Sequence, residues 1–315
     1  MFAGLMKARN KWLAIPCLIA GLSLTGCGGG GGVSVTVPPP SPGAAAKANH
    51  VVLVVLENTN YGSVVGSPDA PYLNSLIPQG ALATNYYANV HPSIGNYFML
   101  TAGQIPTIND AYTGSVSAPE IASEEMGAGK SWRVYAEGIP SIGYTGGDTG
   151  TYLKRHNPFA YFGDTVGTTA AAKNIVPFSQ LASDSAATLP NFVMIVGNMY
   201  DDGHTCAPMA KVCNTATRLQ QADNWLKTTL PQILSNPSFQ SSGLLAVTFD
   251  ESENESTNGG GQVATVLMGT NVKSGYEASG FYQHQSLLRL MLQAQGVNAL
   301  PNAAAIAPDM GEVWK

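Results

Sequence analysis

Five runs of the chain are dense in β-branched and other apolar residues: Val51 to Leu56, Trp132 to Ala136, Phe192 to Val196, Leu244 to Phe249 and Val263 to Met268. Each is short and bounded by polar or turn-forming residues, which is how a strand buried on both faces reads. Between several of them lie stretches with helical spacing: Ala70 to Ile77, Pro119 to Glu125, Thr215 to Leu234 and Gln283 to Gln295. The third places Ala222, Trp225, Leu226 and Leu230 on one face, a packing face. Strands alternating with helices predict an α/β fold, a three-layer sandwich with a mostly parallel central sheet. The segments Gly143 to Gly150 and Thr165 to Ala172, rich in Gly, Thr and Ser, read as surface loops, and no internal repeat recurs at a fixed period.

The first residues do not fit this pattern. Lys7, Arg9 and Lys11 precede an apolar stretch from Trp12 to Leu24 that is short for a membrane span and reads as an export signal. It ends in "LTGC", Leu24 to Cys27, which resembles the lipobox of bacterial lipoproteins, in which the cysteine is lipidated and becomes the mature N-terminus. The rival is an ordinary secretory signal cut elsewhere. The following "GGGGGVSVTVPPPSPGAAAK" cannot bury enough apolar surface to fold and suits a tether. The expected organisation is a signal over 1–26, a tether over 27–47 and one domain over 48–315, in an exported lipoprotein anchored in a membrane and facing the periplasm or cell exterior.

Length and composition support a single large core, with 315 residues and 44% hydrophobic content. A net charge of -5 with only 11% charged residues leaves no basic patch for counterion release, which argues against a nucleic-acid partner. Cys17 is lost with the signal, so Cys206 and Cys213 are the remaining pair besides Cys27. Seven residues apart in an oxidising compartment, they read as a local disulfide; a two-thiolate metal site is the alternative, but no second cysteine pair completes it.

Four stretches carry candidate chemistry. The run ending at Leu56 stops at Glu57-Asn58, and the run ending at Phe249 stops at Asp250-Glu251. Ligands of open α/β sheets bind past the carboxyl ends of the strands, so two acidic strand ends can meet at one edge as hard oxygen donors. In "HPSIGN" Ser93 stands where a helix begins, as an N-cap or as a nucleophile assisted by the same amide groups. In "NMYDDGHTC" Asp201, Asp202 and His204 follow an apolar run and can bind a metal, relay a proton or form a solvated turn. Two apparent motifs fail: "GAGKS" lacks the leading Gly of a phosphate loop, and "DESENE" lacks the Gly and Glu of a calcium loop. No Gly-x-Ser-x-Gly elbow occurs.

Taken in order, "LENTNYGSVVG", "APYLNSLIPQGALATNYYANVHPSIGNY", "SWRVYAEGIP", "KRHNPFAYF", "DDGHTC", "VTFDE" and "YQHQSLLRLM" resemble the bacterial phosphoesterase family of secreted acid phosphatases and phospholipase C-type enzymes, with an alkaline-phosphatase-like fold. The resemblance runs from about His50 to about Met291. It implies a single divalent cation, one of Mg²⁺, Ca²⁺, Mn²⁺, Zn²⁺ or Fe²⁺, held by Glu57, Asn58, Asp250 and Glu251 and completed by Ser93 as nucleophile. It further implies that His204 and His284 flank the phosphoryl group with Asp202 as support or ligand, and that His91, His156 and Asn157 contact substrate. The chain departs from the family at Ile94-Gly95, where Leu-Pro is usual, and at Gly203 and Thr205, where Met and Asp are common. The implied activity is phosphomonoester hydrolysis of the acid-phosphatase type. The alternatives are a phospholipase C-type diesterase on phospholipid headgroups, a metal-independent serine hydrolase, and a non-catalytic surface lipoprotein.

Overall fold

The computed structural model describes residues 47–315; the expected signal, Cys27 and the expected tether up to residue 46 lie outside them. Among the described residues ten strands form two sheets: β1 (His50–Leu56), β2 (Ala81–Ala83), β3 (Tyr86–Tyr87), β4 (Trp132–Ala136), β5 (Ile175–Pro177), β6 (Phe192–Val196), β7 (Gly243–Phe249), β8 (Thr265–Gly269), β9 (Tyr276–Ala278) and β10 (Tyr282–Gln283). The main sheet runs β5-β4-β6-β1-β7-β8-β2-β9, and β3 pairs with β10 apart from it. Within the main sheet β8 is antiparallel to β7 and β2, while the other pairings are parallel. Every residue of β1, β6 and β7 is buried, so both faces of the sheet centre are covered and the architecture has three layers.

The five apolar runs are the sheet's long strands, with the last shifted by two residues because Val263 and Ala264 enter β8 without pairing in it. The four helical stretches form helices at Pro71–Leu76, Ile121–Gly127, Thr215–Leu234 and His284–Ala294. The expected loop over Thr165 to Ala172 contains parts of two one-turn helices, Gly163–Val166 and Thr169–Ala172, the second capped by the Thr168 side chain on the Ala171 amide. Strands β2, β3, β5, β9 and β10 have two or three residues each, too few to show a period. Among the described residues no helix is long and apolar enough to cross a membrane.

What matters for the site is the central pairing. β1 and β7 are adjacent and parallel, in register from His50 opposite Gly243 to Leu56 opposite Phe249. The residues that follow, Glu57-Asn58 and Asp250-Glu251, therefore leave the sheet side by side at its carboxyl edge. Ser93 reaches the same edge from the buried helix Ile94–Ala102, which ends at Gly103 in the left-handed region, φ 65°. That helix packs against His284–Ala294.

Candidate active site

Four acidic side chains are buried together at this edge: Glu57, Asp250, Glu251 and Asp202, the last from the loop after β6. Backbone bonds tie the three loops into one frame, since the Glu57 amide donates to the Asp202 carbonyl (2.8 Å) and the Thr59 amide to the Glu251 carbonyl (3.1 Å). Asn58 has φ 37°, and its amide donates to Asp250 Oδ1 at 3.0 Å while its side-chain NH₂ donates to Glu251 Oε1 at 2.7 Å. Asn and Asp tolerate this left-handed backbone better than other non-glycine residues, which suits Asn58 to the turn out of β1.

Ser93 is the first test of the sequence reading. Its side chain makes no helix cap. Instead the hydroxyl donates toward Glu57 Oε2 (3.1 Å) and Glu251 Oε1 (3.5 Å), and the Ile94 amide that a cap would leave exposed donates to Asp110 Oδ1 at 3.1 Å. The Ser93 oxygen is thus held among carboxylates. Two further residues of the same helix face the cluster. Asn96 donates to Glu251 Oε2 (3.3 Å), and Tyr97 donates to Glu57 Oε1 (2.5 Å).

The histidines divide by position. His156 is buried, stacked on Tyr97 with ring centroids 5.3 Å apart; its Nδ1 lies 3.0 Å from Asp202 Oδ2 and its Nε2 3.4 Å from Glu57 Oε1. Both contacts are close but not aligned as hydrogen bonds. His204 sits at the exposed rim, 6.1 Å between its ring centroid and that of His156, with Nδ1 against Thr205 Oγ1 (2.9 Å). Gly203, at φ 94°, lets the chain reverse so that Asp202 turns inward and His204 outward, with Asp202 Oδ1 accepting the His204 amide at 2.8 Å. His91 bridges Glu251 Oε2 (Nδ1, 2.9 Å) and the Glu255 carbonyl (Nε2, 2.7 Å).

His284 departs from the expectation that it flanks the phosphoryl group. It is fully buried, with Nε2 donating to the Asp250 carbonyl (2.6 Å) and Nδ1 accepting from the Tyr86 hydroxyl (3.0 Å). With both ring nitrogens engaged, it braces the turn after β7 and leaves no nitrogen for substrate. Asn157 is likewise turned inward, donating to the Tyr152 hydroxyl at 3.1 Å. Cys206 and Cys213 form a disulfide that closes the loop after His204. Sequence reasoning passed over Asn96, Tyr97 and Asp110; the i, i+3, i+4 spacing of Ser93, Asn96 and Tyr97 was the available signal for the first two.

Electrostatics at the cluster favour a neighbouring positive charge. Burial, and then the neighbouring Asp250 and Asp202, push the Glu57 carboxyl well above its ordinary range. Burial and Asp250 raise Glu251 to about 9, and burial raises Asp250 to about 6. His204 is lowered by removal from water and by the His156 ring beside it. Among the described residues no three acid or imidazole groups already stand in ligating geometry. Yet Asn58 Oδ1 and Asp250 Oδ2 are buried acceptors with no partner at all, and unpaired acceptors beside mutually repelling carboxylates are what a divalent cation satisfies. The donors are all hard oxygens, and the residues fit such an ion. The cluster is compact: a cavity of about 630 Å³ lies elsewhere, at the β4–β5 side, and shares none of these residues.

Residues 67–298 match the Phosphoesterase family. A Mycobacterium tuberculosis protein named phosphatidylinositol-3-phosphatase is 31% identical over 271 residues, covering 84% of this chain and 82% of its own length. A probable acid phosphatase of Kluyveromyces lactis is 30% identical over 251 residues, 75% of this chain but only 55% of the yeast protein. Among solved structures, an alkaline phosphatase superfamily protein from Vibrio parahaemolyticus superposes with TM-score 0.58 at 14% identity, covering 84% of this chain and 71% of that one. The lipoteichoic acid synthase LtaP of Listeria monocytogenes gives 0.60 at 10% identity, covering 84% and 76%. These two likenesses establish the alkaline-phosphatase-like fold.

Proposed function

The chain belongs to the phosphoesterase family and is a phosphoric ester hydrolase; on that premise we propose that it is an exported, metal-dependent phosphomonoesterase of the acid-phosphatase type, with Ser93 as nucleophile. The observation that carries this reading is the environment of one atom. Ser93 Oγ is buried and has no capping duty, and its hydrogen-bond acceptors are carboxylates from two neighbouring strand ends.

Glu57, Asn58, Asp250 and Glu251, with Ser93 Oγ, are the residues that would hold the cation. The chemistry such an ion would supply there is Lewis-acid charge neutralisation, lowering the Ser93 hydroxyl pKa and offsetting charge on the phosphoryl oxygens. Ser93 Oγ, its hydroxyl proton lost to water once its pKa is lowered, attacks phosphorus in line and expels the alkoxide. Asp202 orients the His156 ring, and Tyr97 stacks on that ring, so the imidazole stays at the edge of the cluster through both displacements. His204, at the rim, protonates the leaving alkoxide; water then attacks the phosphoserine and restores the hydroxyl. Because the His204 pKa is lowered, its acid form grows as pH falls, which favours acidic turnover.

The relatives support one substrate class. Both proteins named above are phosphatases, which release a terminal phosphate, and one name specifies a phosphoinositide. A small phosphomonoester or the monoester on a lipid headgroup is therefore favoured over a phospholipase C-type diester. For location, the basic leader and Cys27 make the chain a membrane-anchored lipoprotein, and the Cys206–Cys213 disulfide fits an oxidising envelope. The deciding experiment is hydrolysis of p-nitrophenyl phosphate, bis-p-nitrophenyl phosphate and phosphatidylinositol 3-phosphate with and without EDTA. Chelator-sensitive turnover of the monoesters is expected. Turnover of the diester alone, or turnover indifferent to EDTA, overturns the reading.

A further inference from the structure

On the reading that the cluster holds a divalent cation, its choice of cation depends on how many oxygens each side chain leaves open. The helix Ile94–Ala102 and its preceding residue place Ser93, Asn96 and Tyr97 on one face, and all three are buried. Asn96 is itself fixed, because its Oδ1 accepts the Asn89 and Val90 amides (3.0 and 3.2 Å). Its NH₂ and His91 Nδ1 both engage Glu251 Oε2, while Asn58 and Ser93 engage Glu251 Oε1. Asp250 Oδ1 accepts the amides of Asn58 and Glu251, which leaves Oδ2 as its open oxygen.

Glu57 would be the exception, a carboxylate with two oxygens facing the cluster, were it not for Tyr97. The Tyr97 hydroxyl occupies Oε1 at 2.5 Å, and the ring is held in place by stacking on His156 with an interplanar angle of 10°. Oε2 accepts only the Ser93 hydroxyl, itself part of the proposed shell, and is the one Glu57 oxygen that can turn to a cation. The cluster then offers one oxygen from Glu57, one from Asp250 and the free Asn58 Oδ1, joined by Ser93 Oγ and Glu251 Oε1, which are hydrogen-bonded to one another and give one oxygen each. Ca²⁺ collects six to eight oxygens and commonly takes carboxylates bidentately, whereas Mg²⁺, Mn²⁺ and Zn²⁺ are satisfied with fewer, single-oxygen donors.

We infer that Tyr97 is a positioning residue: by occupying Glu57 Oε1 it makes Glu57 a one-oxygen donor and turns the cluster away from Ca²⁺ toward a smaller divalent cation. Nothing in the hydrolysis reading itself requires this preference. The test is calorimetric titration of the chelator-stripped full chain with MnCl₂ and with CaCl₂, in the wild type and in Tyr97→Phe, which keeps the stacked ring and removes the hydroxyl. The wild type is expected to bind Mn²⁺ roughly ten-fold or more tightly than Ca²⁺, and Tyr97→Phe to narrow that ratio by about three-fold or more as Glu57 gains a second open oxygen.

An unchanged ratio in Tyr97→Phe, or a wild type that prefers Ca²⁺, overturns the inference while leaving the hydrolysis reading intact. A wild type that binds neither ion sinks the cation assignment and the inference with it. X-ray absorption on Mn²⁺-loaded wild type gives a check that does not depend on the variant folding. Single-oxygen carboxylate coordination is expected there, and a bidentate carboxylate shell overturns the role of Tyr97.

Discussion

Two parts of this molecule bury glutamates, and they are built in opposite ways. At the start of the helix Ile121–Gly127, Glu120 and Glu125 are neighbours in sequence and serve their own helix. Glu120 accepts the amides of Ala122 (2.6 Å) and Ser123 (2.8 Å) in a capping box, and Glu125 lies in the same short helix with both carboxyl oxygens unpartnered. At the carboxyl edge of the sheet, Glu57 and Glu251 come from strands far apart in the chain and meet a hydroxyl, an amide and an imidazole. The perturbation is similar in both places, since burial raises Glu125 to about 8 and burial with Asp250 raises Glu251 to about 9. A shifted carboxyl therefore does not identify the site; convergence of different chemical groups from separate elements does.

Four measurements can break or sharpen that contrast. The largest effect is expected for Ser93→Ala, which should lower kcat for p-nitrophenyl phosphate by roughly 1,000-fold or more while far-UV circular dichroism is unchanged. Retained wild-type turnover would mean that the hydroxyl is only a buried polar group, like those of the Glu120 helix. Asp250→Asn should reduce kcat by about 100-fold and weaken cation binding in parallel, measured by metal content after dialysis. If neither quantity moved, the strand-end acids would be structural as well.

The third measurement concerns stability in the Glu120–Glu125 helix. Glu125 keeps its proton in the folded chain up to about pH 8, whereas in the unfolded chain it ionises near the ordinary carboxylate value. Its contribution to stability is therefore full below about pH 4.5 and is lost as pH rises toward 8. Glu125→Gln removes that loss, so denaturant midpoints should match the wild type at pH 4 and exceed it at pH 8, by up to roughly 3 kcal/mol. A variant without this pH-dependent gain would show that Glu125 is ionised when folded. The smallest effect belongs to Glu120→Ala, which removes the cap and should cost about 1 kcal/mol in thermal or urea unfolding with kcat intact. A fall in kcat there would join the two regions and undo the comparison.

How much of this was readable in advance varies with distance along the chain. The long strands, the 20-residue helix Thr215–Leu234 and the acidic strand ends were legible because each is a local pattern with enough residues to repeat. Ser93 was legible as a helix start with two readings left open, N-cap or nucleophile, since both present the same residue in the same local setting; only the packing shows that its hydroxyl makes no cap and points to carboxylates. His284 was misplaced for a related reason. Its type suits a phosphoryl site, but only the packing of the helix His284–Ala294 beside Tyr86 and the β7 turn shows both nitrogens already engaged.

From its amino acids alone this chain determined an α/β sheet, the acidic ends of two buried strands and a serine poised before a helix, because periodicity and propensity act over a few residues. Tertiary structure alone decided that Leu56 lies opposite Phe249, that Tyr97 takes one oxygen of Glu57, and that Asp202 turns inward as His204 turns out. Those outcomes depend on strand order and side-chain packing between segments separated by 40 residues for Tyr97 and Glu57 and by far more for the two strands, and no local pattern encodes such contacts.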